Sequence, residues 1–207
     1  IKPAILESLA LLPGLKSLHL QYVSNDDKAS FITMNLADPT TAAIITDRNS
    51  IIYSAIRKLK PVRISVHLGF SAEKIGNRGE DNHNYAVAGT LDYEITRERI
   101  INNLLQLQEN ALGAGYRGKI LVENLDYQNE GSEGAYEYIW KPEFVREIQR
   151  LTGTRLLIDV SHVLITAHNR KHGLQDGGIL EPIDYLKQIV RVDNIADVGE
   201  VHIAVPI

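Results

Sequence analysis

Five short runs rich in Val, Ile and Leu, at residues 17–23, 62–69, 119–125, 155–161 and 200–206, are separated by longer stretches with helical spacing. Strands that alternate with helices imply βαβ repeats and a parallel sheet. Within one intervening stretch, 95–112, Ile100, Ile101, Leu104, Leu105 and Leu107 recur at the spacing of an amphipathic helix. Pro142 and Glu143 suit the first turn of another helix, Arg150 its last turn and Gly153 the cap that follows. A further helix is expected over 180–190, with Pro182 near its start. The polar segments 76–89 and 127–140 read as excursions over one face, the first of them a candidate lid.

The parity of the strands narrows the architecture further. Side chains alternate between two faces of a strand, so every second residue shares a side. Leu18 and Leu20 oppose His19; Ile64 and Val66 oppose Arg63, Ser65 and His67; Ile120 and Val122 oppose Glu123. Leu156, Ile158 and Val160 oppose Asp159, and Val201, Ile203 and Val205 oppose Glu200 and His202. Each run thus has an apolar face for covering helices and an ionisable residue on the other face, in the strand's later half. A doubly wound sheet, covered on both faces, wants apolar residues on both. A closed barrel gives its faces different neighbours and draws functional residues from the C-terminal ends of several strands. The pattern therefore favours a (β/α) TIM barrel.

Such a fold would bring His19, His67, Glu123, Asp159 and His202 to one rim, joined by His162 just after its strand. Buried carboxylates without compensation are costly, and a divalent cation shared with imidazoles offsets that cost. The chain has no cysteine, so thiolate metal sites, disulfides and cysteine nucleophiles are excluded and any ion must be held by His, Asp or Glu. Mixed imidazole and carboxylate ligands suit Zn, Mn or Fe. The alternative reading makes Glu123 and Asp159 ion-pair partners of Arg63 and Arg155, which share their parity. The net charge of −4 argues against an affinity built on wrapping phosphates, although a local basic cleft survives that objection. No apolar run approaches the length of a membrane span. The opening on Ile1, with Met34 the one methionine, reads as a trimmed or processed start.

The blocks Ser65-Val66-His67-Leu68-Gly69, Val122-Glu123-Asn124, Ile158-Asp159-Val160-Ser161-His162 and Val201-His202-Ile203 resemble the successive metal-ligand strands of the xylose-isomerase-like TIM-barrel superfamily. Within it, the layout around Glu123-Asn124, Tyr127, Asp159 and Ala167-His168-Asn169 is similar to that of the multinuclear iron-dependent oxidative enzymes, which include the methanobactin biosynthesis oxygenase. Glu123-Asn124 followed by Asp159 and His162 is also similar to the sugar isomerases and epimerases and to the apurinic endonucleases. The strand parity and the resemblance together imply metal ligands at His67, Glu123, Asp159, His162 and His202, with His19 added by parity alone, catalytic roles for Glu123 and His168, and substrate contacts from Asn124, Tyr127 and Asn169. Five strands are visible where a complete barrel has eight. The expected fold is therefore an α/β, (β/α) TIM barrel, truncated or incomplete, forming one domain over 1–207.

The function this supports is a divalent-metal-dependent, cytoplasmic enzyme of isomerase or epimerase type acting on a small, sugar-like molecule. Two alternatives carry their own signatures: a multinuclear iron enzyme that oxidises a peptide, and a non-catalytic barrel-derived binding module that holds no metal. The acidic balance and the lack of a basic stripe argue against nucleic acid and so against the endonucleases. A homo-oligomer is compatible with all three.

Overall fold

The computed structural model describes residues 3–14, 16–25, 30–78, 83–128, 134–173, 181–191 and 195–203. The elements run α1 (Pro3–Leu11), β1 (Ser17–Leu20), β2 (Tyr22–Asn25), β3 (Ser30–Thr33), α2 (Pro39–Thr46), α3 (Ile51–Leu59), β4 (Arg63–His67), β5 (Ile75–Arg78) and β6 (His83–Ala86). They continue with α4 (Tyr93–Gly113), β7 (Leu121–Glu123), α5 (Pro142–Thr152), β8 (Arg155–Asp159), α6 (Val160–Gly173), α7 (Pro182–Ile189) and β9 (Val198–His202). The segment over 127–140 holds bends and turns, and residues 129–133 of it lie outside the described set.

Five strands form one parallel sheet in the order β1-β4-β7-β8-β9. That order follows the chain without reversal, so the sheet has no switch point of the doubly wound kind and is wound in one direction, as a (β/α) barrel is. Among the described residues the barrel is not closed: β1 and β9 are edges. The sheet is nevertheless strongly curled. Four inter-strand spacings would put β1 and β9 about 19 Å apart in a flat sheet. Instead, the rings of His19 on β1 and His202 on β9 have centroids 6.4 Å apart, and Arg63 Nη1 on β4 lies 3.9 Å from Glu200 Oε2 on β9.

The outer face behaves as its parity predicts over most of the sheet. Leu18, Leu20, Ile64, Val66, Val122, Leu156 and Ile158 are buried in one apolar cluster with Ile52 and Ile56 of α3, Ile100 and Leu104 of α4, and Phe144 and Ile148 of α5. β9 departs from this, since Val201 is 53% and Ile203 79% exposed at the edge of the sheet. α5 ends as its sequence requires, with Gly153 capping in the left-handed region at φ 65°, where an L side chain is strained.

Several boundaries differ from expectation for local reasons. The run over 17–23 is broken at Gln21: β1 stops at Leu20, and β2 turns out of the sheet to pair antiparallel with β3. The run over 155–161 ends at Asp159, because Val160 begins α6. The last strand starts earlier than residue 200, and the expected positions Val205 and Pro206 lie outside the described residues. Leu156 pairs with Val198 while Leu157 pairs with Glu200, so Gly199 is an extra residue, a β-bulge. The expected lid is a hairpin, β5 with β6, whose residues 79–82 also lie outside the described set.

Candidate metal centre

Parallel pairing sets the site. His67 is in register with Glu123, and Asp159 with His202, so their side chains share the concave face at the C-terminal ends of the strands. Glu123 stands at the centre, 3% exposed. Its Oε2 lies 3.2 Å from His67 Nε2 and 3.5 Å from His19 Nε2. Its Oε1 lies 3.6 Å from His162 Nδ1. Burial pushes the Glu123 carboxyl up, but His67, His162 and His19 together outweigh it and hold the group below the usual carboxylate range. Burial likewise keeps the His19 imidazole below its ordinary value, against the opposing pull of Glu123. The neutral imidazole this favours is the form that ligates a metal.

Each imidazole is aimed by a partner on its other nitrogen or by its strand. His19 Nδ1 sits 2.8 Å from Ser65 Oγ, leaving Nε2 toward Glu123. His162 Nδ1 is 2.7 Å from the Asn124 carbonyl oxygen, to which it donates; that contact assigns the tautomer and leaves Nε2 as the open nitrogen, 4.0 Å from Asp126 Oδ1. Beyond His67 the turn is clamped by buried Asn35, whose Oδ1 accepts from the Ala37 and Phe70 amides and whose Nδ2 donates to Ala72 O. Gly69 lets that clamp close: at φ 95°, a β-carbon there would fall 2.6 Å from Asn35.

The donor set fits a divalent cation. His19, His67 and Glu123 form one group of convergent ligand atoms, and Glu123, Asp159 and His162 form a second that shares the same carboxylate. Glu123 Oε2 is buried without a hydrogen-bond partner. Two tetrahedral ligands about 2.0–2.1 Å from an ion stand about 3.3 Å from each other. The spacings of 3.2 and 3.5 Å around Oε2 match that edge. The ion-pair alternative does not hold, since Arg63 faces Glu200 and Arg155 donates to the carbonyls of Ala196 and Val198.

Other expected residues are placed differently. His202 belongs to neither ligand group; its Nε2 is 3.2 Å from Glu200 Oε1. Asp159 Oδ1 accepts from the Ser161 and His162 amides and caps α6, leaving its second oxygen for the site. In place of a substrate contact, the fully buried Asn124 side chain accepts from Asp159 N at 2.7 Å and donates to Asp159 O at 3.1 Å, clasping β7 to β8. Tyr127 turns onto Trp140, with ring centroids 4.9 Å apart, and Asn169 donates to Tyr127 O at 2.6 Å. His168 is exposed on α6 and does not line the cavity beside the cluster.

That cavity, about 440 Å³, is lined by His67 and His162 from the cluster and by Asp126, Gln128, Asn84 and Tyr136. Asn84 of the β5–β6 hairpin donates to the Tyr136 hydroxyl at 3.0 Å, so the two polar excursions meet over the site. Gln128 donates to Asp126 Oδ2 at 2.9 Å. Asp126 escaped the parity reading because it follows the end of β7, where alternation no longer applies.

No helix among the described residues is long and apolar enough to cross a membrane. No protein-family model and no curated protein sequence matches the chain. Similar solved structures are sugar epimerases. One is D-psicose 3-epimerase with D-tagatose from Clostridium cellulolyticum H10, at 13% identity and TM-score 0.48, over 82% of this chain and 48% of that one. Another is 3-keto-D-glucoside 4-epimerase from E. coli, at 18% identity and TM-score 0.44, over 74% and 47% respectively. An L-ribulose 3-epimerase aligns at 16% identity and TM-score 0.47, over 98% and 68%. The chain spans about half the length of the first two.

Proposed function

We propose that this chain is a divalent-metal-dependent enzyme of isomerase or epimerase type, cytoplasmic, acting on a small, sugar-like polar substrate. The observation that carries the reading is the buried Glu123 oxygen held between two imidazole nitrogens at ligand–ligand spacing. His19, His67 and Glu123 would hold the ion, with the second Asp159 oxygen adjoining. A bound Zn, Mn or Fe supplies Lewis acidity toward a carbonyl or hydroxyl. The substrate would lie in the cavity against Asn84, Gln128 and Tyr136, whose amides and hydroxyl suit hydroxyl groups. His162, its Nδ1–H engaged by the Asn124 carbonyl, would accept and return a proton at Nε2, with Asp126 stabilising the imidazolium.

A second reading, a multinuclear iron enzyme that oxidises a peptide, is favoured by one feature: the two groups of convergent ligand residues share the Glu123 carboxylate, as two neighbouring ions would. Elemental analysis of protein purified without added metal decides between them. One divalent ion per chain is the expected result. More than one iron supports oxidative chemistry, and metal at background level supports a binding module with idle ligand residues.

A further inference from the structure

We propose that the opposite, N-terminal rim of the sheet binds a small phosphate-bearing molecule in the cleft between the end of α3 and the turn from α4 to β7. That cleft, about 470 Å³, is lined by Arg57, Lys60 and Arg117 above Ile56, Val62 and Tyr116, and no Asp or Glu lines it. Its volume is that of a small-molecule site. Among the described residues, none of the three cations pairs with a carboxylate. Arg57 donates to Arg48 O at 3.4 Å and Arg117 to Leu112 O at 2.8 Å. The adjoining cavity, about 500 Å³, adds Arg63, Lys119 and Arg155 against a single lining carboxylate, Asp197. A chain of net charge −4 thus gathers six cations along two adjoining cavities, of which Arg63 faces a carboxylate, Glu200.

The backbone supplies an independent observation. Lys60 caps α3 in the left-handed conformation, φ 48° and ψ 56°, and is the one non-glycine residue with positive φ among those described. Glycine or asparagine ordinarily occupies such a cap, and strain of this kind persists where function requires the side chain. The helix dipole accounts for cations in the last turn of α3, Arg57 and Lys58. It does not account for a lysine where glycine would relieve strain, whereas Arg117, from the turn after α4, reaches the Leu112 carbonyl at the end of that helix. Guanidinium groups grip phosphate oxygens through paired donors, a lysine adds a mobile point charge, and the apolar floor with Tyr116 gives the rest of such a ligand a surface.

The test is thermal denaturation and calorimetric titration of the full chain with inorganic pyrophosphate, at ionic strength held constant with chloride. A saturable rise in melting temperature with pyrophosphate but not chloride is expected. Lys60→Gly is expected to melt no lower than the parent while its pyrophosphate affinity falls about tenfold, as loss of one charge-assisted contact implies. Arg117→Gln is expected to weaken binding similarly. Glu123→Gln is expected to bind pyrophosphate like the parent, which separates this site from the metal centre. No saturable response, unchanged affinity in both rim variants, loss of binding in Glu123→Gln, or binding confined to an oligonucleotide would each overturn the proposal.

Discussion

The two rims of the sheet are built from the same strands and differ in charge. Along the inner face, β4 begins with Arg63 and ends with His67, and β8 begins with Arg155 and ends with Asp159. The C-terminal rim gathers imidazoles around a buried carboxylate, whereas the N-terminal rim gathers guanidinium and ammonium groups around open clefts. A parallel sheet makes this segregation possible because all its strands end on the same side. One end can then specialise in holding cations and the other in meeting anions, with the strand interiors keeping them apart.

The largest expected effect falls on the C-terminal rim. Glu123→Gln is nearly isosteric but removes the charge shared by both ligand groups, so bound metal measured by elemental analysis should fall about 100-fold or more, on a scale where second-shell losses already cost 10–100-fold. Circular dichroism should show the fold retained; unfolding instead would return Glu123 to a purely structural role. Asn124→Ala removes both bonds of the β7–β8 clasp and should lower stability by about 2 kcal/mol in urea denaturation. Ser65→Ala frees His19 Nδ1 and should weaken metal binding about tenfold with little change in melting temperature.

The next test contrasts two left-handed helix caps, one at each kind of residue. Gly153→Ala should cost about 1 kcal/mol, while Lys60→Gly should stabilise by about 0.5–1 kcal/mol. A destabilised Lys60→Gly variant would mean that the lysine side chain is a structural member of its rim. The smallest effect is expected from His202→Ala. Because His202 lies outside both ligand groups, metal affinity should change by less than about threefold, well under the 1.4 kcal/mol of a tenfold change. A larger loss would enlarge the centre to include β9.

Much of the C-terminal rim was legible in the sequence because a strand's period of two links residue number directly to face. His67, Glu123 and Asp159 follow from that period alone, and β4, β7 and β8 obey it. The roles of Asn124 and Asn169 were not legible: an amide that can contact substrate can equally satisfy a neighbouring backbone, and only distances separate the two. Asp126 and Tyr136 sit outside regular elements, where no periodicity labels them, and Asn84 lies on the short hairpin strand β6, outside the parallel sheet. The basic rim was hidden for a different reason. Its cations come from the end of α3, the turn before β7 and the first residues of β4 and β8, so a whole-chain charge of −4 averages them away.

The extra residue at Gly199 acts as a phase shifter. Were Leu157 opposite Gly199 instead of Glu200, Asp159 would stand opposite Val201, and His202 and Glu200 would be rotated to the helix side. Drawing that one glycine into the ladder instead of bulging it out would thus exchange the wet and oily sides of the end of the strand with every letter unchanged. An insertion no larger than a peptide unit decides which chemistry the last strand contributes.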